Sequence, residues 1–113
     1  SPMAERLDLP RRVYRVVRTD PPTRTDFLSP AVLGRRFADP RQHDLAEGIS
    51  VFATEAQARR QALAYQLGRH IAELQLRAGA EIRRTQRRTA GHHTVRADAE
   101  ALLRSVVRVV PVD

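Results

Sequence analysis

The sequence predicts an α+β domain, a small mixed sheet with two or three short helices. Three observations carry that prediction. Short β-branched runs occupy residues 13–18 and 106–110; a strand, a capped helix and a second strand follow one another over 49–76; and 113 residues give room for a single core. Residues 4–113 are read as that one domain, with Ser1, Pro2 and Met3 read as extraneous residues ahead of the natural start and left out of the fold. Aromatic residues make up only 4% of the chain, so the core falls to Val, Leu, Ile and Ala.

The first strand covers residues 13–18 and stops at the turn signal Thr19, Asp20, Pro21, Pro22. Alternation puts Val13, Arg15 and Val17 on one face, and a charged side chain between two apolar neighbours needs a polar partner. Residues 20–48 contain four prolines and a weak apolar pattern, which predicts a long connection with one short helix near 29–33. Within it Arg35, Arg36, Asp39, Arg41 and Asp44 read as a solvated face.

The signals sharpen at Gly48. Residues 49–53 alternate as a strand, and Thr54 with Gln57 three positions on forms a capping box, so a helix is expected to begin there and run to about Leu67, stopping at Gly68. Glu55 and Arg59 make a favourable i,i+4 pair on it. Residues 70–76 form the next strand, with Ala72, Leu74 and Leu76 facing inward and Glu73 and Gln75 outward. Strand, helix and strand together read as a crossover unit.

Further strands are expected at 81–85 and 92–95, and Asp98 caps a short helix over 99–103. The valine-rich run 106–110 closes the fold. Its continuous apolar character predicts a central strand covered on both faces, with the helix at 55–67 packed on it or on its neighbour.

Charge is the most unusual feature. The formal net charge of +7 is carried by 20 arginines without one lysine. A GC-rich coding bias accounts for arginine over lysine by itself, whereas guanidinium forks also suit phosphate and carboxylate partners. The basic residues concentrate in 83–96, where Arg83, Arg84, Arg87, Arg88 and Arg96 accompany His92 and His93 with no acidic residue. This segment is the candidate nucleic-acid or polyanion surface, its plainer alternative being a solvated hairpin.

Other chemistry is thinly represented. The chain has no cysteine, so it offers neither a thiolate nucleophile nor cysteine metal ligands. Adjacent histidines on a strand point to opposite faces, and no metal is expected. Glycine-rich phosphate loops and nucleophile-elbow motifs do not occur, and Ser29, Ser50 and Ser105 have no base beside them in sequence. Without an apolar span or signal stretch, the protein is expected to be soluble and cytoplasmic, with no membrane partner.

Taken in order, the strand at 13–18, the glycine-led strand from Gly48 to Thr54, the helix bearing Ala58 and Ala62, and the strand at 70–76 resemble the ADP-ribosyltransferase superfamily. The resemblance implies a mixed α/β fold that binds nicotinamide adenine dinucleotide (NAD) in a cleft between two small sheets. It implies Arg15 at the dinucleotide, Ser50 as its support on the second strand, and Glu73 as the glutamate near the ribose. The Ala/Arg/Val-rich style is similar to small proteins of high-GC bacteria that occur in toxin–antitoxin systems, which implies a cognate protein partner. Two functions therefore compete: an ADP-ribosyltransferase-like domain, active or degenerate, and a non-enzymatic module that binds nucleic acid or protein through its arginine-rich segment.

Overall fold

The computed structural model describes residues 5–34, 48–84 and 91–113. Among these residues seven strands form one sheet: β1 (Glu5–Arg6), β2 (Arg11–Val17), β3 (Ile49–Phe52), β4 (His70–Leu76), β5 (Glu81–Arg84), β6 (His92–Arg96) and β7 (Val106–Pro111). Among the described residues two α-helices accompany them, α1 (Glu55–Tyr65) and α2 (Ala99–Arg104), together with a 3-10 turn at Arg24–Phe27. The order across the sheet is β1-β5-β6-β3-β2-β4-β7. Every pairing is antiparallel, so the sheet is not the mixed one expected. The described residues are mostly sheet with two helices, and no described helix is long and apolar enough to cross a membrane.

The crossover expected over 49–76 is present with a strand threaded through it. β3 and β4 both run antiparallel to β2, which lies between them, so they are parallel to each other and α1 makes the split connection. Thr54 begins α1 as anticipated: its hydroxyl accepts from the Gln57 N–H at 3.1 Å, and the Gln57 side chain accepts from the Thr54 N–H at 3.2 Å. The helix ends earlier than Gly68, because Gln66 turns into the left-handed region at φ 52°, ψ 47°. Gly68 has a different role: a Cβ there would stand 2.5 Å from the Val17 carbonyl oxygen, so only glycine lets the chain pass this close to the end of β2.

The sheet curls. β4 and β5 stand four places apart in the order yet are joined by residues 77–80, and β1 and β2, also four places apart, are joined by residues 7–10. A flat sheet would set such strands about 19 Å apart, close to the reach of the fully extended links. The concave face carries the main core, with Val13, Val17, Val51, Leu74, Ile82 and Val95 closed over by Phe27 of the 3-10 turn and Leu102 of α2. The convex face carries a smaller core, in which Ala58 and Ala62 of α1 lie on Phe52, Ile71 and Val112.

β2 and β3 form the weakest seam of the sheet, paired only where Tyr14 faces Phe52. It divides the sheet into β2-β4-β7 on one side and β3-β6-β5-β1 on the other.

β7 corrects an expectation. It is an edge strand whose sole partner among the described residues is β4, not a central one. Its valines are covered from above and below: Val109 packs on the concave core and Val110 on the convex one. The register slips at Leu74, leaving Val107 as an extra residue in a bulge, 50% exposed. The Val112 N–H donates to the Arg69 carbonyl at 2.8 Å. By antiparallel alternation Pro111, opposite His70, then faces its missing N–H away from β4, the one side where a strand tolerates proline.

The connection after β2 also differs from expectation. The helix expected near 29–33 is a single turn, in which the Leu33 N–H donates to the Ser29 carbonyl at 3.1 Å. The regular element is instead the 3-10 turn, fixed by the buried Asp26 carboxylate, which accepts from the Thr23 N–H at 2.9 Å and the Arg18 N–H at 3.1 Å. The solvated face expected around residues 35–44 lies outside the described residues.

Candidate functional site

Arg15 stands at the seam between the half-sheets. Its neighbours Val13 and Val17 belong to the concave core, so its side chain leaves β2 on that face. The guanidinium Nε donates to the Asp26 carbonyl at 2.7 Å and Nη1 to the Ser50 carbonyl, also at 2.7 Å. It thereby ties the 3-10 turn and β3 to β2 where the ladder does not. Burial brings its pKa down to about 10, with the Asp26 charge opposing the fall, so the group stays cationic at neutral pH.

Of the three residues implied for a dinucleotide site, Arg15 and Ser50 meet only through the backbone of Ser50. Ile49 and Val51 face the concave core, so the exposed Ser50 side chain points to the convex face. Glu73 also lies on the convex side, across from Tyr14, and its carboxylate is engaged. Arg12 Nη1 donates to one of its oxygens and Arg108 Nη2 to the other, the latter at 3.2 Å.

Arg108 extends this cluster by donating to Glu55 at 2.7 Å, and Glu55 accepts from Arg59 at 3.0 Å in the expected i,i+4 pair. Arg59 in turn donates to the Val112 carbonyl at 3.0 Å. Five charges of alternating sign, Arg12, Glu73, Arg108, Glu55 and Arg59, thus run from β2 to α1 and lash the edge strand to the helix. Burial works against ionisation of Glu73, but hydrogen bonds and charge from Arg108 and Arg12 outweigh it and hold the carboxyl below its usual range. Hydrogen bonding to Glu73 is the main cause that raises Arg108. Burial pushes the Tyr14 phenol up, and the neighbouring Glu73 carboxylate adds to the rise.

The arginine-rich segment divides between strands and residues outside the described set. Arg83 and Arg84 end β5, opposite Thr94 and His93 of β6, and adjacent residues on a strand take opposite faces. Arg84 is exposed and makes no ion pair among the described residues. Arg87 and Arg88 lie outside the described residues. His92 stacks on Phe52 with ring centroids 5.3 Å apart, and His93 Nδ1 lies 2.9 Å from the Gly91 carbonyl, so the two histidines occupy different settings. At the far end of the hairpin Arg96 pairs with Glu81 at 3.7 Å, and the same carboxylate takes Arg6 at 3.0 Å. Among the described residues no group of three or more histidines and carboxylates is placed to hold a metal ion.

Sequence reading alone does not reach Arg12 and Arg108 as partners of Glu73, since they come from strands about 60 and 35 residues away. Two antiparallel registers supply the signal: the β2–β4 pairing that sets Tyr14 against Glu73 puts Arg12 against Gln75, and the separate β4–β7 pairing puts Arg108 against Glu73. No protein-family model, curated protein or solved structure matches the chain.

Proposed function

We propose that the protein is a non-enzymatic binding module for single-stranded nucleic acid, touching phosphates through the β5–β6 hairpin. The observation that carries this reading is the exposed Arg84 at the end of β5, within a segment, 83–96, whose sequence holds five arginines and no carboxylate. Two strand faces bearing guanidinium groups suit a flexible phosphate chain, and such pairing is independent of base sequence. A labelled 20-nucleotide RNA should bind at low salt, with log affinity falling linearly against log salt. Replacing Arg84 and Arg88 by Gln should flatten that slope by about 0.7 for each phosphate no longer neutralised, and Arg83 and Arg87 are replaced in a parallel variant. Unchanged binding by both double variants would overturn the proposal.

A second reading, an ADP-ribosyltransferase-like NAD site, draws support from Arg15 lying at the seam between two half-sheets within hydrogen-bond reach of the Ser50 backbone. It requires Arg15 to exchange its carbonyl partners for the ligand. On this reading millimolar NAD raises the melting temperature, because a ligand that binds only the folded chain shifts unfolding. An unmoved melting curve disposes of it.

A further inference from the structure

The convex face carries a groove of about 630 Å³ at the C-terminal end of α1, bordered by Arg18, Arg69, Leu63, Leu67, Val112 and Asp113. Local structure explains why two arginines meet there. After the left-handed Gln66, Gly68 brings the chain against the end of β2, and Arg18 and Arg69 each stand one residue beyond the last β2–β4 pair, Val17 opposite His70, where both border the groove. Like charges lining one groove repel. Both arginines are exposed, and neither forms an ion pair among the described residues, although Asp113 borders the same groove. Beside them Leu63 and Leu67 are 58% and 50% exposed, forming an apolar wall.

Two guanidinium groups next to an apolar wall complement a molecule with an anionic head and an apolar body. The head would relieve the repulsion between the arginines, and the body would cover the leucines. We infer that this groove binds a small amphiphilic anion, a carboxylate or phosphate monoester on a short alkyl body, with the head between Arg18 and Arg69 and the body on Leu63 and Leu67. The volume suits a small-molecule site. This site is separate from the β5–β6 hairpin and does not depend on it.

The test is an NMR titration of the whole chain with octanoate and with octyl phosphate, using inorganic phosphate and octylamine as controls. Saturable shifts at the amides of Leu67, Gly68 and Arg69 are expected with at least one of the two amphiphilic anions, and the tighter one tells carboxylate from phosphate. Arg18→Gln with Arg69→Gln should weaken that binding at least tenfold, Leu63→Gln should weaken it severalfold, and Arg84→Gln should leave it unchanged. The inference is overturned if neither anion gives saturable shifts, if octylamine matches them, if inorganic phosphate alone binds as tightly, or if the double arginine variant binds as before. RNA binding, read separately, responds to Arg84 and not to Arg18 or Arg69, so failure of one site leaves the other standing.

Discussion

Arg12 and Arg15 lie three residues apart on β2 and end on opposite faces of the sheet, in opposite kinds of company. On the concave face Arg15 is surrounded by valines and satisfies two neutral carbonyls that no strand pairing reaches. On the convex face Arg12, about half exposed, joins a row of charges in which each guanidinium is matched by a carboxylate. The difference teaches that a shared charge does not imply a shared role. Arg15 substitutes for missing ladder hydrogen bonds and holds two half-sheets together, whereas the convex arginines trade partners near water, where an ion pair contributes little.

The sharpest way to break the contrast is Arg15→Met, which keeps the apolar stem and removes the donors. It leaves the Asp26 and Ser50 carbonyls without their partner and should cost about 3 kcal/mol in urea unfolding, while Arg12→Met should cost about 1 kcal/mol or less. Equal destabilisation of the two variants would erase the distinction. Glu73→Gln probes the convex side with a smaller effect, about 1 kcal/mol at low salt and less at high salt. Its pH dependence has a definite sign. The Glu73 carboxyl is held below its usual range in the folded chain, so its contribution is fully present above the unfolded value of about 4.3 and disappears as pH falls through the folded value. Wild type and Glu73→Gln should therefore differ at pH 7 and converge in acid. A gap that stays undiminished as the solution is acidified would mean that packing, not charge, sets the difference.

How far the sequence exposes this arrangement depends on the range of each interaction. The capped start of α1 and the extent of β4 follow from neighbouring residues, and both are legible. Arg15 is legible as a residue in need of a partner, but the partner comes from β3 and the 3-10 turn, whose positions are fixed by the fold as a whole. The 3-10 turn does leave a local mark in Thr23 and Asp26 at capping-box spacing. β7 shows where pattern reading fails. A run of valines reports cover above and below a strand, and Val109 and Val110 have that cover. It says nothing about what lies beside the strand, and β7 is an edge. Glu73 is legible as an outward carboxylate, whereas its two arginine partners depend on pairings across three strands.

The irregularity of β7 bears on how copies of this chain behave together. A flat, valine-rich edge is a template on which another molecule can lay a strand, the first step toward cross-β growth. Here the bulge at Val107 bends the template and Pro111 withholds a donor from its outer rim, while Arg108 is drawn back toward Glu55 and Glu73. The same short stretch that supplies apolar cover to both cores is thus a poor template for an added strand.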